Sequence, residues 1–302
     1  MTGKLSLGPL LYNWQAGDVR DFYLRVADEM DIDRVFIGEV VCSKRQPLHA
    51  DYLPEVVERL QAAGKQVIFS TLALVMTERE IKSLKSLFAD AGDFLVEIND
   101  VTLLDACEGR PFAVGPYTNI YNEDTLRFFE QLGASIVTLP FELPRDTLKA
   151  LAAQAQSELE VQVFGRLPLA ISARCYHARA HHLHKDSCRF VCEKDPDGMD
   201  IKTMDGQPFL AVNGTQTQSY TYANLLQEIP DLQSIGIGNF RISPHTADMI
   251  AIAKIFRAVQ QGKMDTTEGL ANLSDLIKNV EFSNGFYHSL SGKYWKPAAL
   301  SE

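Results

Sequence analysis

The chain has 302 residues, 46% of them hydrophobic and 23% charged, so it can bury a large core as one domain or as one domain with an insertion. Its formal net charge of -10 argues against a general nucleic-acid binder, which would need a basic surface for phosphate contacts. No window approaches the roughly 18 consecutive apolar residues of a membrane helix, and no ordered signal-peptide regions follow the N-terminus. We therefore expect a cytoplasmic protein with reduced cysteines, no integral membrane segment and no nucleic-acid partner.

Short apolar runs rich in Val, Ile and Phe alternate with helical segments along most of the chain. The predicted strands are 5–12, 34–38, 66–71, 94–98, 112–114, 135–139, 160–164 and 234–238. The predicted helices are 18–30, 52–63, 78–91, 100–108, 123–133, 144–157, 244–260 and 268–280. Helices of this length joined by short loops favour an α/β fold of the (β/α)8 TIM-barrel type, complete or incomplete, over an open sheet.

The alternation stops between residues 165 and 233, where no strand–helix unit fits. This stretch contains the turn signals Asp195-Pro196-Asp197-Gly198 and Asn213-Gly214, with an apolar run between them at 209–212. We expect a single barrel domain over 1–302, with residues 165–233 as an insertion of small antiparallel hairpins after the seventh strand.

Four of the five cysteines form a pattern typical of a metal centre. Cys175, Cys188 and Cys192 are spaced C-x12-C-x3-C, and Cys42 lies far upstream. Cys42 follows the second predicted strand and Cys175 follows the seventh. Because the carboxyl-terminal loops of barrel strands converge on one face, the fold can bring all four thiols to one site.

The spacing leaves the content of this site open between an iron–sulfur cluster, a structural zinc ion and no metal. Structural zinc sites usually use two short C-x2-4-C pairs, and here only Cys188 and Cys192 form one. A larger cluster tolerates dispersed ligands better. A rival arrangement replaces one thiol by a histidine from the group His181, His182 and His184, whereas Cys107 is expected to be a small buried apolar residue.

Four segments in this order resemble the collagenase-like peptidase family over nearly the whole chain: VFIGEVVCSKR, GRLPLAISARCYHARAHHLHKDSC, RFVC and PFLAVNGTQT. Within that family, the segments most resemble the branch that serves oxygen-independent ubiquinone biosynthesis. It implies a [4Fe-4S] cluster on Cys42, Cys175, Cys188 and Cys192. It also implies a heterodimer with a paralogous, UbiU-like subunit that hydroxylates the aromatic ring of a prenylated ubiquinone precursor, with prephenate as a plausible oxygen donor.

Two other functions remain open at this point. One is a collagenase-like peptidase, although the family's E-x-F-x2-G-[SA]-x-C signature is replaced here by GRLPLAISARC, which keeps Cys175 but lacks the acidic residue and the glycine. The other is a binding scaffold held together by zinc. The cluster loop is basic, and Arg174 and Arg179 could attract an anionic substrate.

Polar residues at predicted strand ends are further candidates for acid–base or binding roles, although none is assigned to catalysis. Arg241 is singled out among them because its planar guanidinium could bind a carboxylate through two parallel hydrogen bonds. These candidates are Glu39, Asn99, Thr138, Glu142, Asn239 and Arg241.

Overall fold

The computed structural model describes residues 3–107, 109–278 and 280–297. Twelve strands lie within them, and they are numbered here in chain order. They are Leu5–Leu7 (β1), Arg34–Ile37 (β2), Gln66–Ser70 (β3), Leu95–Ile98 (β4), Phe112–Val114 (β5), Ala134–Thr138 (β6), Glu158–Ile171 (β7), Met199–Lys202 (β8), Pro208–Asn213 (β9), Gln216–Asn224 (β10), Asn239–Ile242 (β11) and Phe282–Ser283 (β12).

Eight of these strands close into a parallel barrel. Strands β1 to β7 pair with their neighbours in sequence order, and β11 closes the ring because it pairs in parallel with both β7 and β1. Phe240 shows the closure directly, since it is in register with Leu5 on one side and with Val161 on the other. The fold is therefore a closed (β/α)8 TIM-type barrel, as the alternating pattern predicted.

Helices surround the barrel and bury one apolar side against it. Leu84 and Phe88, four residues apart on the third helix, are both buried in the main hydrophobic core. Several connections contain short 3-10 helices, among them Ser43–His49 and Val101–Ala106. The α-helices are Ala16–Glu29 (α1), Leu53–Ala62 (α2), Glu78–Asp90 (α3), Glu123–Gln131 (α4), Arg145–Gln154 (α5), Tyr176–Ala180 (α6), Ile229–Ser234 (α7), Met249–Gln260 (α8) and Thr266–Leu276 (α9).

The barrel strands bury two separate sets of side chains. The larger set faces outward and packs against the helices, and the smaller set faces the barrel interior. The small cluster consists of Phe36, Ile68, Ala113 and Ile136, which lie on alternate strand positions relative to the outer core. Because successive strand residues point to opposite faces, these four share the barrel interior. The guanidinium carbon of Arg241 lies 3.8 Å from the centre of the Phe36 ring, so the interior also contains a buried cation.

The region between β7 and α7 forms an antiparallel extension of the sheet. Strand β7 continues to Ile171, beyond its barrel part, and pairs antiparallel with β10. Strand β10 in turn pairs antiparallel with β9, and β9 with β8. Residues 165–233 thus contain these strands, the short helix α6, and at their end the α-helix α7, which leads back into the barrel.

The predicted eighth strand at 234–238 is wrong. Residues 229–234 form α7, and the barrel strand begins at Asn239. Gly236 has φ +99°, and Ile237 donates a backbone hydrogen bond to the carbonyl of Leu232, so the apolar SIGIG run ends a helix. Helices commonly end at a glycine with positive φ. The apolar run was too short for its sequence pattern to distinguish a strand from the end of a helix.

Several predicted boundaries are also corrected. The predicted strand at 5–12 pairs only over Leu5–Leu7, and the predicted helix at 100–108 is a 3-10 helix over Val101–Ala106, with Glu108 outside the described residues. The helix predicted from 244 begins at Met249, where Asp248 caps it by accepting a hydrogen bond from the Ala251 backbone N–H. No helix in the described part of the chain is long and apolar enough to cross a membrane.

Candidate metal centre

The loops that carry Cys42 and Cys175 leave the barrel at the carboxyl-terminal ends of their strands. Cys42 lies five residues after the end of β2 and directly precedes the 3-10 helix Ser43–His49. Cys175 follows β7 and is the N-terminal cap of α6, where its sulfur accepts a hydrogen bond from the backbone N–H of Ala178 at 3.3 Å. The same sulfur lies 3.2 Å from the carbonyl oxygen of Gly214.

All four cysteines of the sequence pattern line one small pocket. Cys192 lies within another short 3-10 helix, Val191–Lys194, and Cys188 lies three residues before that helix. Both residues line the same pocket as Cys42. The remaining lining includes two lysines, one arginine and the turn glycine of the β9–β10 hairpin. The complete lining is Cys42, Lys44, Arg45, Cys175, Lys185, Cys188, Phe190, Val191, Cys192 and Gly214.

The sulfur atoms are spread more widely than the ligands of a single ion. All four cysteines lie in the described part of the chain, and no three of their sulfurs lie within 4.8 Å of one another. A tetrahedral zinc site with Zn–S bonds of about 2.3 Å brings all four sulfurs to within about 4 Å of each other. No three of the four sulfurs are therefore as close together as the ligands of one bound zinc ion.

The surroundings of the pocket carry positive charge that can balance an anionic thiolate cluster. Arg45 is 1% exposed and lies within hydrogen-bonding distance of Cys192. Burial lowers the pKa of Arg45, but the charges of Glu39, Cys192 and Cys42 outweigh burial and raise it overall. Burial raises the pKa of Cys42, and Arg45 opposes that rise. Burial likewise raises the pKa of Cys175, with the Ala178 N–H in opposition. A metal centre would remove these protons, because thiols bind metal as thiolates.

Arg45 also fixes the loop geometry around the pocket. Its Nη1 donates to the carbonyl oxygen of Leu11 at 3.2 Å, and its Nη2 donates to Oδ1 of Asn213 at 2.6 Å. Asn213 in turn donates from Nδ2 to the carbonyl oxygens of Cys192 and Asp195. One chain of hydrogen bonds therefore connects the barrel, the Cys42 loop and the Cys192 loop.

A second connection joins the Cys42 loop to the loop before Cys188. Lys44 donates from Nζ to the carbonyl oxygen of Lys185 at 2.7 Å and lies 3.1 Å from the carboxylate of Asp186. The sequence pattern missed Lys44, Arg45 and Asn213 as members of the site. The only signal for them was their position, since Lys44 and Arg45 follow Cys42 directly and Asn213 stands in the Asn-Gly turn.

The histidines of the cluster loop do not line the cysteine pocket. His177 is fully buried, with Nε2 at 2.9 Å from the carboxylate of Asp195 and Nδ1 at 3.2 Å from the carbonyl oxygen of Val212. Burial lowers the pKa of His177, and Asp195 opposes that change. The ring of His181 stacks on that of His177 at 5.5 Å, whereas His182 and His184 are exposed.

Cys107 lies away from the pocket, as expected for a small apolar residue. It is 2% exposed within the main hydrophobic core, and its thiol faces the carbonyl oxygen of Leu103 at 3.6 Å. Burial raises its pKa to about 11. It therefore separates from the other four cysteines both in position and in environment.

The suggestion that Arg241 binds a ligand carboxylate is wrong in this structure, because its guanidinium is already paired inside the barrel. Its Nε donates to Glu160 at 2.6 Å, and its Nη2 donates to Glu97 at 2.8 Å and to Thr138 at 2.7 Å. Burial raises the pKa of Glu160, but Arg241 and the hydroxyl of Ser6 outweigh burial and lower it overall.

The other strand-end candidates have varied surroundings. Asn99 donates to Glu97 and to the carbonyl oxygen of Thr71, and Asn239 connects Lys4 to the carbonyl oxygen of Leu159, so both hold backbone segments together. Glu142 accepts a hydrogen bond from the Tyr121 hydroxyl. Glu142 also lines a cavity, together with Phe141 and Asn119. Glu39 lines a different cavity, next to the loop of Cys42.

The fold and this site define a TIM-type barrel protein with a pocket of four cysteines on its carboxyl-terminal face. The model of peptidase family U32 matches residues 22–296, so the chain belongs to that family. This result confirms the family resemblance in its broad form.

Solved structures are similar to this chain at low identity. A tryptophan synthase complex from Pyrococcus furiosus is 11% identical, with 90% of this chain and 100% of that chain covered and a TM-score of 0.42. An uncharacterized B. cereus protein is 11% identical over 88% of this chain and 66% of its own, with a TM-score of 0.45. The phospho-2-dehydro-3-deoxyheptonate aldolase of Thermotoga maritima is 9% identical over 91% and 69%, with a TM-score of 0.35.

Proposed function

We propose that this chain is the iron–sulfur subunit of a cytoplasmic, heterodimeric hydroxylase that works without O2. In this proposal Cys42, Cys175, Cys188 and Cys192 hold a [4Fe-4S] cluster. The partner is a UbiU-like paralogous subunit, the substrate is a prenylated aromatic precursor of ubiquinone, and prephenate is the candidate oxygen donor. The reaction class rests on the resemblance of the cysteine segments to UbiV, a member of the same family.

The main support for a metal centre is that thiols from two distant barrel loops and from the insertion line a single pocket. No three of these sulfurs lie within 4.8 Å of one another. The residues fit such a group because Arg45, Lys44 and Lys185 surround the thiols with positive charge. A [4Fe-4S] cluster on four thiolates has a net negative charge, which is costly to bury without cations nearby.

A cluster held by four cysteines supplies electron transfer when it is bound, since every iron already has a protein ligand. The chain's own residues would then position the cluster and tune it. Arg45 lines the pocket beside Cys192, and the Ala178 N–H donates to the sulfur of Cys175. Hydrogen bonds and positive charge near the sulfurs stabilise the more negative, reduced state of a cluster and raise its potential.

The family name also keeps a peptidase under consideration. A cysteine peptidase needs a thiol paired with a histidine base. Among the described hydrogen bonds, the sulfur of Cys175 contacts only backbone atoms, and His177 faces Asp195 and Val212. The geometry favours metal binding over nucleophilic catalysis, and the wide sulfur spacing also disfavours the zinc-held scaffold.

Anaerobic purification with iron, sulfide and zinc analysis tests the metal centre. We expect a brown protein with about four irons and four sulfides per chain. Cys192→Ala should lose most of the iron, whereas the matched variant Cys107→Ala should keep it, because Cys107 does not line the pocket. A colourless protein with one zinc per chain would contradict the proposal.

The reaction is tested separately with the UbiU-like partner, a prenylated phenolic precursor and prephenate under anaerobic conditions. We expect the hydroxylated ring by mass spectrometry, and loss of product with Cys192→Ala. Full activity of the Cys192→Ala heterodimer would show that this cluster does not pass electrons in the reaction. Peptide cleavage by the purified chain, with no ring hydroxylation, would favour the peptidase instead.

A further inference from the structure

A cavity of about 190 Å3 lies between the barrel and its first helices, and Glu39, which precedes Cys42 by three residues, forms part of its lining. Its walls come from strands β2 and β3 and from helices α1, α2 and α3. Most of the lining is apolar, with Leu10, Ile37, Phe69, Leu72 and Leu84 among the wall residues. Its mouth lies beside the exposed residues Gln46 and Ala50.

The size of the cavity matches a single aromatic ring. An engineered apolar cavity of about 150 Å3 stays dry and binds benzene, so about 190 Å3 leaves room for a ring with one small substituent. A pocket of this kind, mostly apolar with few polar groups, is the usual form of a small-molecule site. The apolar walls provide affinity, and the polar groups determine orientation.

Two polar atoms face each other at one end of the cavity. Oε2 of Glu39 lies 3.9 Å from Nε2 of His49, too far for a hydrogen bond between them. The other carboxylate oxygen of Glu39, Oε1, already accepts from the backbone N–H groups of Val41 and Cys42 at 2.8 Å each. Oε2 is therefore the part of this carboxyl group that can accept from a ligand.

The neighbours of His49 define which of its ring nitrogens carries the proton. The Tyr52 hydroxyl contacts Nδ1. Burial raises the pKa of Tyr52, so its hydroxyl stays protonated and donates a hydrogen bond to Nδ1. Burial, assisted by Arg45, lowers the pKa of His49 to about 4, so the ring is neutral at pH 7. Nε2 is then an N–H donor that points toward Glu39.

A donor and an acceptor 3.9 Å apart can both bind one hydroxyl oxygen placed between them. The oxygen would accept from Nε2 of His49 and donate to Oε2 of Glu39, each at about 2.8 Å. We propose that this cavity binds a small phenolic compound, with its ring between the apolar walls and its hydroxyl between Glu39 and His49. This inference depends on the cavity alone and not on the cluster or on the hydroxylase reaction.

Ligand-observed NMR titrations of the full chain with phenol and with toluene test the proposal. Toluene has nearly the same shape but offers no hydroxyl, so we expect phenol to bind about tenfold more tightly, which corresponds to about 1.4 kcal/mol. Glu39→Gln replaces the acceptor oxygen by an amide donor, and His49→Phe removes the N–H donor. Each should weaken phenol binding about tenfold and leave toluene binding unchanged.

Unchanged toluene binding in these variants also shows that the cavity is still formed. Ala50→Trp, at the exposed mouth, should abolish binding of both compounds because the indole blocks the entrance. Equal affinity for phenol and toluene, binding of neither, or phenol binding that survives Ala50→Trp would overturn the proposal. Loss of hydroxylase activity alone would not affect it, because these titrations require no turnover and no partner.

Discussion

Arg45 donates a hydrogen bond from Nη2 to Oδ1 of Asn213 at 2.6 Å, and this bond joins the Cys42 loop to the hairpin behind Cys192. The two residues are 168 positions apart in the chain. Both are buried, and each makes further hydrogen bonds to backbone carbonyls around the pocket. The alignment of the four cysteines therefore depends on an interaction between two side chains that are not themselves ligands.

Asn213→Ala should reduce the metal content of the purified protein. The change leaves the buried guanidinium of Arg45 without its acceptor and frees the carbonyls of Cys192 and Asp195. Leaving such buried groups without hydrogen bonds costs about 3 kcal/mol of folding free energy. Part of this loss destabilises the arrangement in which the loops enclose the pocket. We expect faster loss of iron to a chelator. Asn272→Ala, at an exposed helix position, is the control, and equal rates in the two variants would contradict this role.

Gly214→Ala should disturb the pocket more than Gly206→Ala does. Both glycines have positive φ, +68° and +82°, so an alanine has a similar backbone cost of about 1–2 kcal/mol at each. A Cβ at Gly214 would come within 2.3 Å of Nη2 of Arg45, whereas one at Gly206 meets nothing within 4 Å. Because the backbone cost is similar at both positions, a lower iron content in Gly214→Ala than in Gly206→Ala would report the displacement of Arg45 by the new Cβ. Identical iron content would show that this close approach has no influence on the site.

His49 should make the protein less stable as the pH falls below 6.5. Its pKa is lowered from 6.5 to about 4 in the folded state, so between these values the unfolded chain binds more protons. The stabilisation is fully present above pH 6.5 and is lost progressively toward pH 4.

The expected loss from His49 between pH 7.5 and 5.5 is about 1 kcal/mol of unfolding free energy. Anaerobic urea unfolding at the two pH values measures it. His49→Gln should remove this part of the pH dependence, and His184→Gln, at an exposed position, should retain it. A His49→Gln variant with the same pH dependence as the parent would show that the ring of His49 titrates normally.

Arg241→Met should destabilise the barrel strongly. The substitution removes the only side chain that pairs Glu97 with Glu160 in the described interior, and it leaves both carboxylates buried. Breaking one side of a buried ion pair costs about 3–5 kcal/mol. The exposed pair of Arg25 and Glu29 provides the comparison, because Arg25→Met should cost less than about 1 kcal/mol. Urea unfolding of both variants gives the two values, and similar losses would mean that the interior pair contributes little.

The sequence was sufficient for the barrel and for the placement of the four cysteines around one pocket. Alternating apolar and helical segments predicted the strand–helix units, because parallel strands that are buried on both faces are apolar at nearly every position. Cys42 and Cys175 could be placed on one face because strand direction alone determines which loops converge. The eighth strand was misplaced by a few residues, since the apolar run before Asn239 ends a helix at Gly236.

Only the tertiary structure determined the surroundings of those cysteines. Arg45 and Asn213 carry no local signal of their contact, since a hydrogen bond between residues 168 positions apart depends on the packing of the hairpin against the barrel loop. Arg241 looked like a ligand-binding residue in the sequence, but the closed barrel pairs it with Glu97 and Glu160. Residue type and spacing define what chemistry a chain can carry, whereas the distances that decide which groups are free or paired arise only from long-range packing.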